Sequence, residues 1–364
     1  MHITLIAGAR PNFIKISPII NAIKKKQSEG ADIQYSLVHT GQHYDKLMSG
    51  LFFEELNIPE PDVNLAAGSG TQAEQTASIM VAFEKYLMDH PTDLVLVVGD
   101  VTSTMACSIV AKKMGIQLAH VEAGIRSFDM SMPEEINRIV TDSLADYFFI
   151  TSDFAKENLK KNGVPDEKVF FVGNVMIDSL LANQPRLRRP EIFDELNLQD
   201  SKYIILTLHR PNNVDDTNNL VDVLSTIDSN VNGVPVVFPI HPRTEQRLKG
   251  ADYNFANIRF VKPLGYLEFI YSIKHSMAVI TDSGGITEET TIMHIPCMTL
   301  RDNTERMETC TVGSNELIGT NPRNLIPALK NLFDGKWKQG GIPKMWDGKT
   351  AERIVDVILK EFSR

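Results

Sequence analysis

The sequence predicts an α/β protein of two doubly wound, Rossmann-like halves facing a ligand cleft. Three observations carry that expectation. Strand-like apolar runs alternate with helix-like runs along the 364 residues, a grammar that builds parallel sheets covered by helices. The pattern halts in 181–198, which holds Pro185, Pro190 and the basic run Arg186-Leu187-Arg188-Arg189, and then restarts. Each half also contains a strand end that passes through small residues into a helix. These junctions are Gly8-Ala9-Arg10-Pro11 and Thr281-Asp282-Ser283-Gly284-Gly285-Ile286-Thr287-Glu288-Glu289.

In the first half, residues 3–7, 33–39, 94–98, 117–121, 147–151 and 169–172 read as strands, because each is a short apolar run of buried-strand length. Helical stretches fall at 72–88 and 102–113. Pro11 suits a first helical turn, where its fixed φ and missing N–H cost little. In the second half, 203–208, 234–239, 258–261, 277–281 and 297–300 read as strands. Residues 350–362 have an amphipathic helical pattern. The expected division is a domain over 1–182, a second over 183–349, and a terminal helix over 350–364.

Composition narrows the function classes. Hydrophobic residues make up 43% and charged residues 23%, as in an ordinary soluble protein with a full core. A net charge of −9 argues against a nucleic-acid surface, which needs basic patches. An anionic ligand must then be met by local Arg, His and helix ends. Cys107, Cys297 and Cys310 are odd in number and far apart, which fits neither zinc nor a disulfide framework and points to a reducing cytoplasm. The first residues lead straight into folded pattern, so no signal segment is expected. No apolar run approaches the roughly 18 residues of a membrane span.

The candidate site residues lie where strands end, since doubly wound sheets bind ligands beyond their carboxyl edges. The Ser283-Gly284-Gly285 turn opens a helix, so its N–H groups and helix dipole favour an anion and its bare glycines allow close approach. Glu288 and Glu289 follow, where carboxylates can take sugar hydroxyls. Arg10 can clamp a phosphate, and Lys15 lies about one and a half turns further on. Together the two junctions suggest a ligand with a diphosphate and sugars.

Asp100 ends the run Val97-Val98-Gly99-Asp100, as a helix cap or as a carboxylate over the cleft. Glu122 ends His120-Val121-Glu122, with Gly124 and Arg126 following. Glu134 falls in a first helical turn opened by Pro133, with Arg138 after it. If Asp100, Glu122 and Glu134 converge, they raise one another's pKa toward values useful in acid or base work. His209 and His241 sit at strand ends, where an imidazole can donate to a phosphate or move protons. Arg301 to Arg306 follow another strand. The spacing of Tyr266 and Phe269 favours the core over a base-stacking platform.

Together these residues resemble the non-hydrolysing UDP-N-acetylglucosamine 2-epimerases. The matching strings are GARPNFIK (8–15), TGQH (40–43), VVGDVTST (97–104), HVEAGIR (120–126), MPEEINR (132–138), GNVMID (173–178), LHRPNN (208–213), TDSGGITEE (281–289) and RDNTER (301–306). They occur in family order. The resemblance implies a glycosyltransferase-B-type fold whose terminal helix returns to the first domain, and a homodimer. It implies reversible inversion at carbon 2 of UDP-N-acetylglucosamine, giving UDP-N-acetylmannosamine through loss and re-addition of UDP. Carried over by position, Asp100, Glu122 and Glu134 are acid/base candidates. Lys15, Arg138, His209 and Arg10 are donors near sugar and diphosphate. Ser283, Gly284 and Gly285 match the phosphate turn, Glu289 the ribose contact, and Phe269 and Leu264 the uracil contacts, with Arg306 in the same substrate set. No metal and no nicotinamide is implied. The chain differs from the common family pattern at Asn12, Thr287 and Met307, where Glu, Gln and Pro are usual. A hydrolysing relative that releases UDP and N-acetylmannosamine, and an epimerase of a modified 2-acetamido sugar, stay open.

Overall fold

The computed structural model describes residues 1–41, 58–68, 70–248 and 254–362. The chain divides into two compact units, Met1–Ala182 with Lys344–Arg364, and Asn183–Pro343.

Among the described residues the first unit contains seven strands: β1 (His2–Ala7), β2 (Gln34–His39), β3 (Val63–Asn64), β4 (Leu94–Val98), β5 (Gln117–Val121), β6 (Tyr147–Ile150) and β7 (Val169–Phe171). Their order is β3-β2-β1-β4-β5-β6-β7, with all neighbours parallel. All five residues of β4 are buried, which explains its unbroken run of Leu and Val: helices cover both faces of a parallel sheet. Burying each such side chain contributes roughly 1.5–3 kcal/mol.

The second unit repeats the plan with β8 (Ile204–Thr207), β9 (Val236–Pro239), β10 (Ile258–Val261), β11 (Ala278–Thr281), β12 (Cys297–Thr299) and β13 (Asn315–Leu317). Its order is β10-β9-β8-β11-β12-β13, again parallel. Each sheet therefore reverses its winding once, between β1 and β4 and between β8 and β11. That reversal is where doubly wound sheets open a crevice for ligands. β3 and β13 escape sequence reading because they are short edge strands containing Asn64, Asn315 and Glu316.

The chain returns to the first unit before its last helix, Thr350–Phe362. That helix buries Ala351, Ile354, Val355 and Ile358, one stripe at helical spacing. It packs on the first helix, Arg10–Ser28. Lys25–Glu352 at 2.6 Å and Lys26–Asp356 at 2.8 Å rim that seam. Both pairs are exposed, so the apolar stripe carries the packing. The three cysteines are free. Among the described residues no helix is long and apolar enough to cross a membrane.

Candidate active site

At the reversal point of the first unit, Asn12 joins two strand ends. Its Oδ1 accepts from the N–H groups of Gly8 and Ala9 at 3.2 and 2.9 Å, and its Nδ2 donates to the Val98 carbonyl at 3.0 Å. An ionised carboxylate at this position would have no proton to give Val98, which is what the amide supplies. The first turn of Arg10–Ser28 is thereby tied to the end of β4. Arg10 opens that helix, and its side chain lies outside the described part of the structure. One turn after Asn12, Lys15 Nζ lies 2.8 Å from Glu122 Oε2, with both side chains buried. Lys15 fits because Gly99 has no side chain: a Cβ there would meet Lys15 Nζ at 3.1 Å.

Glu122 follows β5 in a left-handed conformation, φ +71°. Such a backbone is costly for a residue with a Cβ and persists only where the surrounding structure holds it. Behind it, His120 Nδ1 faces Asp142 Oδ1 at 2.7 Å and Nε2 faces the Gly99 carbonyl at 2.9 Å. The ring is thus held at both nitrogens. Asp142 also takes the Gly124 N–H at 3.0 Å and pairs with Arg126 at 2.6 Å. Burial pushes its carboxyl up, but His120 and Arg126 overcome this and hold it below the usual range.

Asp100 lies at the next strand end. Arg138 donates to its Oδ2 from Nε at 3.0 Å and from Nη2 at 2.5 Å, and Asn137 Nδ2 donates to its backbone carbonyl at 2.8 Å. Glu134 occupies the first turn of the helix Pro133–Leu144, half-exposed, one turn before Arg138. The structure pairs Asp100 and Glu122 each with its own cation, Arg138 and Lys15. Gln42 and His43, in the 40–43 string, lie outside the described residues.

In the second unit, Asp282 organises the reversal point. Thr207 and Thr281 hydroxyls meet at 2.7 Å where β8 and β11 end. Asp282 follows, fully buried. It accepts from the backbone N–H groups of His209 and Arg210 at 3.0 and 2.9 Å and from Asn213 Nδ2 at 3.0 Å, and pairs with His209 Nδ1 at 2.7 Å. Burial works against its charge, but these donors hold its carboxyl below the usual range. The His209 side chain is 58% exposed, so its Nδ1 is anchored while the ring reaches solvent. Sequence reading quoted Asp282 only as part of the glycine turn and gave it no role. It likewise gave Asn213 and His120 no role and did not single out Asp142; His120 reaches Asp142 across 22 residues and Asn213 reaches Asp282 across 69.

Ser283 precedes the helix Gly284–Ile292 and makes no side-chain cap bond. The first-turn N–H groups of such a helix lack intrahelical partners. The two glycines differ. A Cβ on Gly284 would lie 2.7 Å from Glu305 Oε1, whereas one on Gly285 would meet nothing within 4 Å. Glu305 is held by Arg301 at 2.6 Å.

Arg306 is buried against Glu288 at 2.9 Å, and Glu289 accepts from the Tyr266 hydroxyl at 3.3 Å. Burial, reinforced by neighbouring Glu288, pushes the Glu289 carboxyl up to about 8, and burial also raises the Tyr266 phenol. Leu264 and Phe269 flank the start of the helix Tyr266–Lys274, both half-buried, while Tyr266 is buried. Among the described residues no group of His, Cys, Asp and Glu is placed to hold a metal ion.

Residues 25–359 match the family model described as UDP-N-acetylglucosamine 2-epimerase. A Methanocaldococcus jannaschii protein named UDP-N-acetylglucosamine 2-epimerase is 41% identical, covering 98% of this chain and 99% of that one. A Pseudomonas aeruginosa protein named UDP-2,3-diacetamido-2,3-dideoxy-D-glucuronate 2-epimerase is 38% identical, covering 99% and 100%. The solved structure of the M. jannaschii enzyme in complex with UDP-GlcNAc and UDP superposes with a TM-score of 0.87 at 40% identity, covering 99% of this chain and 100% of that one. The two doubly wound units are those of a glycosyltransferase-B-type fold. The match over 25–359 and the identity along almost the whole chain place this protein in the UDP-N-acetylglucosamine 2-epimerase family, a family of isomerases.

Proposed function

We propose that the protein is a cytoplasmic homodimeric epimerase that interconverts UDP-N-acetylglucosamine and UDP-N-acetylmannosamine without net hydrolysis. The observation that carries this is the pair of acidic groups at adjacent strand ends, Asp100 held by Arg138 and Glu122 held by Lys15. Together with Glu134 they supply the acid and base groups. One takes the proton from carbon 2 while the bond from carbon 1 to the diphosphate oxygen breaks and its electron pair leaves with UDP. The product is a glycal. Re-addition of UDP at carbon 1, with a proton delivered to the opposite face of carbon 2, gives the epimer. A carbon-bound proton is hard to remove, so an oriented base and a stabilised leaving group are both required.

In this reading the unit 1–182, with the helix at 350–364, serves the sugar, and 183–349 takes UDP. Ser283, Gly284 and Gly285 hold the diphosphate with a donor from His209. Glu289 takes the ribose, and Leu264 and Phe269 take the uracil. Arg306 acts through Glu288, because its guanidinium is buried against that carboxylate.

The 38% identity to the diacetamido-glucuronate 2-epimerase over the full chain supports a second reading, an epimerase of a modified sugar. Purified protein incubated with each nucleotide sugar in turn decides between them. UDP-N-acetylmannosamine formed from UDP-N-acetylglucosamine, with faster turnover than of the diacetamido-glucuronate, supports the first reading. The reverse preference moves the assignment to the second, and free N-acetylmannosamine with UDP moves it to a hydrolysing enzyme. Gel filtration with light scattering checks the dimer.

A further inference from the structure

We propose that Glu135 is a positioning residue for the reaction: it fixes Arg138 against one oxygen of Asp100 and leaves the other oxygen to face the sugar. This rests on the epimerase reading above.

Glu135 is 1% exposed. Its Oε2 accepts from the Ser127 N–H at 2.9 Å, the Ser127 hydroxyl at 3.0 Å and Arg138 Nη1 at 2.8 Å, and its Oε1 accepts from the Phe128 N–H at 3.1 Å. A buried carboxylate needs this many donors to hold its charge. The bonds divide into two groups with different consequences. Three secure the turn at Ser127 and Phe128, where Phe128 adopts φ +60°. The fourth takes one edge of the Arg138 guanidinium.

A guanidinium is a rigid fork with five donors. With Nη1 committed to Glu135, the edge formed by Nε and Nη2 is the one presented to Asp100, and both of its bonds land on Oδ2. Oδ1 takes neither. An Arg free to turn would pair side by side with both oxygens of a carboxylate and so occupy the oxygen a substrate proton must reach. Asn137, from the same helix, holds the Asp100 backbone carbonyl. Residues 135, 137 and 138 therefore converge on the placement of one carboxylate.

Two variants separate this role from simple support of the fold. Glu135→Gln puts an amide where one oxygen now accepts, and removes the charge that orients Arg138. Ser127→Ala removes the hydroxyl's two bonds on the turn side, its donation to Glu135 and its acceptance from the Asp129 N–H, and leaves the Arg138 bond in place. The expected result for E135Q is a kcat at least about tenfold lower with KM within about twofold. S127A is expected to lower Tm while keeping kcat within about twofold. Equal loss of kcat in both variants, or an undiminished kcat in E135Q, overturns the proposal. A crystal structure of E135Q reads the placement without turnover. Arg138 spanning both oxygens of Asp100, or leaving it, supports the proposal, and Arg138 still confined to Oδ2 refutes it. Wild-type protein inactive on UDP-N-acetylglucosamine would sink the substrate assignment alone, while the crystal structure still decides the role of Glu135.

Discussion

Lys15 Nζ and Glu122 Oε2 sit 2.8 Å apart, joining the first helix to the end of β5 with both side chains closed to solvent. Removing one partner takes the counterion at 2.8 Å away from a buried charge, which costs about 3–5 kcal/mol. Lys15→Met should therefore destabilise by that order in urea unfolding. Adding Glu122→Gln to the same protein should return most of the loss, although neither variant epimerises. If the double variant is as unstable as the sum of the singles, the pair is not coupled as its geometry indicates.

Gly284 and Gly285 adjoin in sequence but should answer differently to alanine. A Cβ at Gly284 runs into the Glu305 carboxylate at 2.7 Å, whereas Gly285 faces open space. Gly284→Ala is expected to lower Tm. Gly285→Ala should leave Tm unchanged or slightly higher, since alanine favours a helix by roughly 0.5–1 kcal/mol. Its effect should fall on UDP affinity, with at least a tenfold loss by calorimetry because the methyl occupies the anion's approach. Unchanged UDP binding in G285A would remove that turn from the site.

Asp282 gathers donors from His209, Arg210 and Asn213. Asp282→Asn sets an amide against groups that all donate, and should cost about 2–3 kcal/mol at neutral pH with a lower kcat from the released His209. The sign of the pH dependence follows from the depressed folded pKa. The contribution of Asp282 is present above the unfolded value of 3.8 and is lost as pH falls through the folded value. The stability gap between wild type and D282N should then close in strong acid, as read by urea unfolding across pH.

Glu289 has the opposite sign. Its folded pKa, about 8, stands above the unfolded 4.5, so the folded protein keeps a proton that the unfolded chain gives up. The resulting stability is full below pH 4.5 and is lost as pH rises through about 8. Glu289→Gln, which mimics the protonated acid, should flatten that decline. Thermal unfolding from pH 5 to 9 checks it: wild-type Tm should fall relative to E289Q up to about pH 8 and run parallel above. Parallel curves throughout would mean that Glu289 is ionised in the fold.

Much of the architecture is legible in sequence because buried parallel strands have to be apolar along their length. The run 94–98 shows this, and the restart after 181–198 marks where the second unit begins. The short edges β3 and β13 are not legible, since Val63-Asn64 and Asn315-Glu316-Leu317 offer no such run. Strand-end logic singles out Asp100, Glu122 and His209, because each follows an apolar stretch, Asp100 with Gly99 between. It does not find what holds them. Arg138 reaches Asp100 across 38 residues and His209 reaches Asp282 across 73, and such pairings depend on strand order. Spacing gives the acids, and only the fold supplies Lys15 and Arg138 beside them.

The most direct test of the epimerase account is proton NMR of the purified protein with UDP-N-acetylglucosamine in deuterated water. The account predicts that UDP-N-acetylmannosamine accumulates while the carbon 2 proton signal is replaced by deuterium in both sugars, because each passage through the glycal exchanges that proton with solvent. Epimerisation with the carbon 2 proton retained would contradict the elimination route, and an unchanged spectrum would contradict the substrate.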